Sequence, residues 1–486
     1  MSARPGTRND DASPEQDGGQ AKGGKHPVDE VLPPLKMVTS GLQHVAAMYA
    51  GVVAVPLVIG AAAGLGPGDT TLLMAASLFT AGIATLLQTL GVWRIGARLP
   101  FVNGVSFGGV AAMTAIIAAE GGASGLPVIF GAVIVAGLLA FAVSSWFCKL
   151  VRFFPPVVTG SVITLIGLSL MPVAFGWIAD GEGGADGAPA GNIGLAAVAL
   201  VITLAVRRYA RGFLQSIAIL IGLVAGTLVA VPLGMADFSG LGDADLVGFP
   251  TPFHFGAPQF SVPAIVSMCI VMLVIMTEST ADMIALGRIV DRPVDEKVIA
   301  AGLRADALGS AVAPVFNGFA ASAFAQNVGL VAMSKVRSRF VVAVGGGILV
   351  LLGLCPVAAA LVSAVPLPVL GGVGVVLFGT IAVSGVQTLV QAGLEHGENA
   401  LIVAVTLGVG LAPEMAHGFY GQFPDSATII LDSGISTGCI LAVLLNLLFN
   451  HLRSRKDAAT PTPTPTPPVG APTEPGVTAP AAAHLH

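Results

Sequence analysis

The sequence predicts an all-α polytopic membrane protein, and three observations carry that prediction. Hydrophobic residues fill 54% of the 486 positions against 10% charged, and mean hydropathy is +0.87, a balance that soluble domains do not reach. The apolar residues gather into about fourteen segments. Lys and Arg then concentrate in alternate connections between them, as expected where those connections face the cytoplasm.

The segments run near 38–62, 70–91, 105–119, 126–148, 156–178, 191–206, 213–233, 261–287, 298–316, 326–334, 340–363, 366–390, 399–413 and 429–450. The third and the tenth are too short to cross a hydrocarbon core of roughly 30 Å as helix alone. Outside this block, residues 1–37 are rich in Gly, Asp, Lys and Pro and lack an apolar stretch, so they are expected to be an unstructured tail without a cleavable signal. Residues 453–486 carry a Thr-Pro repeat followed by Pro, Ala, Gly and Thr, and are expected to be a second unstructured, polyproline-prone tail.

The basic clusters are Arg94/Arg98, Lys149/Arg152, Arg207/Arg208/Arg211, Arg288/Arg292/Lys297/Arg304, Lys335/Arg337/Arg339 and Arg453/Arg455/Lys456. All fall on even-numbered connections or at a terminus. The odd connections hold acids only, such as Glu120, Asp180, Glu182, Asp186, Asp237, Asp243, Asp245, Glu414 and Asp425. The pattern puts both termini in the cytoplasm of a bacterial-type plasma membrane. One even connection, around Glu395-His396-Gly397-Glu398, lacks a basic residue. The formal net charge of -5 says little about partners, and no nucleic acid is expected. Cys148, Cys269, Cys355 and Cys439 lie in apolar segments as small hydrophobes.

Fourteen segments divide into seven and seven, and an odd number makes the second half enter the membrane from the opposite side. This is the inverted repeat of many secondary transporters. The two short segments are each third in their half, and Val105 to Met113 can be laid over Ala325 to Met333. Gln326 and Asn327 open the second one. There an amide pair ahead of two turns of small residues reads as the start of a half-helix, which aims backbone N–H groups and a positive dipole at whatever lies in front. Gln326 and Asn327 are therefore substrate-binding candidates, with Ser106 and Phe107 their counterparts in the first half.

Ionisable side chains within spans are functional candidates by default. Glu278 and Asp282 lie one helical turn apart on one face, with Glu278 near mid-span, where a carboxyl is suited to changing protonation during a cycle. Asp306 starts the following span, and His44 lies early in the first span as a candidate relay or supporting side chain. No Ser-His-Asp set, phosphate-cradling loop or metal-ligand spacing stands out, so an enzyme, a cofactor or a resident metal is not expected.

The motif Gln326-Asn327-x-Gly329-x4-Ser334-Lys335, Gln43-His44 in the first span, and Glu278 with Asp282 in the eighth resemble the nucleobase-ascorbate transporter family over about residues 38–450. The resemblance implies a core domain (38–152 and 261–364, spans 1–4 and 8–11) moving as an elevator against a gate domain (153–260 and 365–452, spans 5–7 and 12–14), usually in a homodimer. It implies that Glu278 hydrogen-bonds a base that Gln326 also reads, and that Asp306, His44, Asp282 and Ser334 serve coupling or site architecture. Gln rather than Glu at 326 points to xanthine or urate over uracil. Two residues depart from the family pattern: Ser334 stands where Thr is usual, and Lys335 where bacterial xanthine carriers often have Gly.

The expectation is a proton symporter of an oxidised purine. Alternatives are a uracil symporter of the same family, sodium as the coupling ion, or an anion exchanger or channel of the related fourteen-segment fold.

Overall fold

The computed structural model describes residues 26–150, 153–179, 187–236, 238, 246–395, 397–416 and 418–452. Both expected tails beyond these limits, Arg152, Asp180, Glu182, Asp186, Asp237, Asp243, Asp245 and His396 lie outside the described residues.

Helices α1 (Pro34–Ala62), α2 (Pro67–Leu90), α3 (Val110–Glu120) and α4 (Gly125–Val143) are followed by the short α5 (Phe147–Leu150). Next come α6 (Pro156–Ser169), α7 (Met171–Ile178), α8 (Ala190–Tyr209), α9 (Phe213–Ser216) and α10 (Ala218–Ala230). The second half contains α11 (Val262–Ile289), α12 (Glu296–Val312), α13 (Ala325–Ser334), α14 (Arg339–Gly353) and α15 (Pro356–Ser363). It ends with α16 (Leu367–Val390), α17 (Gly397–Gly410), α18 (Ala412–Met415), α19 (Asp425–Leu431) and α20 (Gly434–Asn446).

Among the described residues nine helical stretches are long and apolar enough to cross a membrane, and ten if α14 and α15 count as one span. The expected segment 340–363 is thus broken: its two helices meet at 79° beside Pro356, whose ring cannot continue the helix before it. Segment 156–178 likewise divides at Leu170, just before Pro172. All four cysteines are free thiols, Cys439 buried and Cys148, Cys269 and Cys355 half-buried.

The helices sort into two packed groups. In one, α1, α2, α4, α11, α12 and α14 pack on one another; in the other, α6, α7, α8, α10, α16, α17 and α20 do. Small residues permit the close approach inside each group, as where Gly82 of α2 faces the Gly346 carbonyl of α14 and Gly385 of α16 faces the Thr164 backbone of α6.

Three of the basic connections, those holding Arg94/Arg98, Arg292/Arg304 and Arg337/Arg339, meet at one end of the molecule. Arg292 bonds the Arg98 carbonyl, Arg304 bonds the Arg94 carbonyl and Ser145, and Arg337 pairs with Asp291. The tail expected over 1–37 gives way to built structure before its limit. Residues Pro27–Asp29 form a 3-10 turn whose Asp29 carboxylate bridges Arg292 and Arg339 at 3.2 and 2.7 Å, and α1 already starts at Pro34. At the opposite end the segment leading into α11 lies over the first helix group: Gly248 bonds Leu354, Phe253 bonds Val315, and Gln259 bonds Pro127.

Candidate functional site

Two three-residue strands organise the site. β1 (Asn103–Val105) and β2 (Ala321–Ala323) pair antiparallel, with Asn103 opposite Ala323, Gly104 opposite Ser322 and Val105 opposite Ala321. Each strand leads directly into a half-helix, β1 through the 3-10 turn Phe107–Gly109 into α3, and β2 into α13. Extended backbone at this depth needs partners for its polar groups. The strands provide them for each other, and the pairing continues outward through Ser106 N–H to Ala320 O and Phe324 N–H to Val102 O.

The pairing is symmetric about Gly104 and Ser322, so Ser106 corresponds to Phe324 and Gly108 to Gln326. Both Ser106 and Phe324 are the residues that precede their helical turns. This moves the sequence overlay by two residues: Ser106 and Phe107 are not the counterparts of Gln326 and Asn327. Two hydroxyls repeat the symmetry. Thr85 of α2 bonds both the N–H and the carbonyl of Asn103, each at 3.0 Å, and Ser310 of α12 accepts from Ala321 N–H at 2.9 Å.

Gln326 is exposed and its side chain makes no hydrogen bond to the described residues. No side chain caps the start of α13, so the positive end of that helix lies beside Gln326, while Asn327 N–H bonds the Phe324 carbonyl at 2.9 Å. Gly329, one turn on, also faces open space. Asn327 is buried and turned the other way: its Nδ2 reaches His44 Nδ1 at 3.1 Å and the His44 carbonyl at 3.0 Å, which ties α13 to α1. His44 and Asn327 thus hold α1 and α13 together, and Asn327 Oδ1 is buried without a hydrogen-bond partner among the described residues.

Glu278 on α11 is partly exposed between buried neighbours, and its side chain makes no hydrogen bond to the described residues. Its position between the two half-helix starts follows from flanking residues on the same helix: Ile275 packs beside Gly108, and Ser279 Oγ accepts from Ala323 N–H at 3.4 Å. Asp282 lies one turn further with Oδ2 buried and unpartnered.

Asp306 is fully buried on α12 and accepts from Gln88 Nε2 at 2.7 Å and from Asn103 Nδ2, both on Oδ1. Among the described residues its Oδ2 has no hydrogen-bond partner within 3.5 Å, and the Ser279 hydroxyl lies near the same carboxyl. Ser106 is buried and caps its own turn through Gly108 N–H. The Phe107 ring contacts Phe324, just ahead of α13, and Phe378 of α16, with centroids 6.5 and 6.1 Å apart. Ser334 is not brought to this place. It ends α13, eight residues and about 12 Å along the helix from Gln326, and caps the turn at Val336. Lys335 follows in the left-handed conformation at φ 57°, where glycine is at ease and a lysine costs about 1 kcal/mol.

Gln88, Asn103, Thr85, Ser279 and Ser310 were missed from sequence because they are uncharged and scattered. A polar residue inside an apolar span was the available signal. Among the described residues no group of His, Cys, Asp and Glu has metal-binding geometry.

A family model described as "Permease family" (Xan_ur_permease) matches residues 35–417, which include every candidate residue named above. The chain belongs to the nucleobase-ascorbate transporter family. The permease is 42% identical over 418 residues to the uric acid permease PucK of Bacillus subtilis, covering 85% of this chain and 96% of that protein. It is 40% identical to a xanthine permease of the same organism (85% and 94% covered) and 40% identical to the uric acid transporter UacT of Escherichia coli (88% and 89% covered). In fold it is similar to the transmembrane domain of the cyanobacterial bicarbonate transporter BicA, with TM-score 0.58 at 16% identity over 85% of this chain and 99% of that one. Murine Slc26a9 in its inward-facing state gives TM-score 0.58 at 13% identity over 92% and 77%. The permease is therefore a multi-pass membrane transporter and not an enzyme.

Proposed function

We propose that the permease imports an oxidised purine, xanthine or urate, by proton symport. The observation that carries the reading is an exposed carboxamide, Gln326, at an uncapped half-helix start on one side of the strand pair, with the free Glu278 carboxyl between the two half-helix starts. An oxopurine presents alternating N–H and C=O edges. A carboxamide can both donate and accept toward such an edge, while a carboxylate accepts from its N–H groups. The names of the relatives, uric acid and xanthine permeases, support this substrate class.

In this reading Glu278, Gln326 and Phe107 contact the base. Asn327, His44 and Ser106 hold the half-helices, and Glu278, Asp282 and Asp306 serve coupling. The first helix group is the core that moves and the second is the gate, in an elevator cycle within a homodimer in the plasma membrane, both termini cytoplasmic. The segment from Gly248 to Gln259 then travels with the core on which it packs, so the gate part ends before it rather than at 260.

Uptake of labelled xanthine, urate and uracil into cells lacking their own carriers, with and without a protonophore, tests the proposal. Accumulation of xanthine or urate that a protonophore collapses is the expected result. Preference for uracil, or accumulation that follows sodium instead, overturns it.

A further inference from the structure

We propose that Gln88 is a positioning residue that fixes which edge of the Asp306 carboxyl is free to exchange a proton; the inference rests on Asp306 acting in coupling. Gln88 is fully buried near the end of α2, and its side chain uses every obvious bonding direction. Its Oε1 accepts from Ala97 N–H at 2.8 Å, and its Nε2 donates to the Gly302 carbonyl at 3.1 Å and to Asp306 Oδ1 at 2.7 Å.

The orientation of an amide is ordinarily ambiguous, but here the partners decide it. Ala97 N–H can only donate and the Gly302 carbonyl can only accept, so the amino group must face Asp306. Asn103 Nδ2 donates to the same oxygen. Two N–H donors on Oδ1 leave that oxygen as an acceptor and direct any proton to Oδ2, which takes no hydrogen bond within 3.5 Å among the described residues and has the Ser279 hydroxyl as the other polar group near the carboxyl. The same amide binds two separate pieces of chain, the connection after α2 through Ala97 and helix α12 at two points, the Gly302 carbonyl and the Asp306 side chain. Gln88 therefore holds the carboxyl in register with β1, whose Asn103 is its other donor.

Gln88→Leu keeps the bulk of the side chain and removes all three bonds, while Gln88→Asn keeps an amide that is one methylene too short. In proteoliposomes, Gln88→Leu is expected to lower xanthine or urate accumulation driven by an imposed pH gradient by about tenfold or more, the scale of losing one buried hydrogen bond to a charged group. Substrate counterflow without a gradient should stay within about threefold of wild type, and Gln88→Asn should fall between. Melting temperature of the purified protein is measured alongside. If counterflow, gradient-driven uptake and melting temperature all fall together, Gln88 is a packing residue and the proposal fails. It fails equally if gradient-driven uptake is unchanged. A wild type without any pH-gradient drive overturns the function proposed above together with this one, whereas a driven wild type with an unaffected variant overturns this one alone.

Discussion

Ser267 of α11 and Ser436 of α20 share a hydrogen bond of 3.1 Å between two fully buried hydroxyls. It joins the two helix groups, and Ser433 donates to Ser436 from within the second group. If the core slides against the gate, this bond must break once per cycle. A disulfide at the same place should therefore stop transport. In Ser267→Cys with Ser436→Cys, oxidation is expected to abolish uptake and reductant to restore it, while each single variant stays active. Full transport by the quantitatively cross-linked protein would mean that α11 and α20 do not move apart.

Gly104 is the centre of β1, and a Cβ there would come within van der Waals overlap of the Phe324 ring, which also lies against Gly51 of α1. Overpacking of this kind costs about 1–3 kcal/mol, and here it would be spent pushing Phe324 and the start of α13 out of place. Gly104→Ala should lower thermal stability and reduce uptake of every substrate in the same proportion. Selective loss of one substrate would instead place Gly104 in direct contact with the base.

Glu278→Gln replaces an acceptor that can carry a proton with an amide that cannot. Accumulation driven by a pH gradient should be lost, and the protein should keep its wild-type melting temperature because no internal hydrogen bond is broken. Near-normal proton-driven accumulation in this variant would remove Glu278 from the coupling role.

Much of this architecture is legible in the sequence because a membrane restricts what a chain can do. Polar side chains and glycine interrupting apolar runs marked both half-helices, and the basic residues marked one end of the molecule, where Arg98, Arg292, Arg304, Arg337 and Arg339 indeed meet. The register between the halves was not legible. Stretches of Gly, Ala and Val match at several offsets, and only the pairing of Gly104 with Ser322 fixes the correct one. Ser334 belongs to the same motif as Gln326, yet eight residues of helix carry it to the far end. The amide and hydroxyl partners of Asp306, Asn103 and Ala321 stayed hidden because each bond joins residues remote in sequence, such as Gln88 and Asp306.

The central claim is that the carboxamide of Gln326 reads an oxopurine. Glu at this position loses the amino donor when ionised, and when protonated it must hold that proton near Glu278. Competition of labelled xanthine uptake by unlabelled xanthine, urate, hypoxanthine and uracil, in wild type and in Gln326→Glu, measures this directly. The account predicts that wild type prefers xanthine or urate over uracil and that Gln326→Glu weakens that preference by at least about tenfold, the equivalent of about 1.4 kcal/mol. A wild type that prefers uracil, or a Gln326→Glu variant with unchanged ranking and affinities, would contradict it.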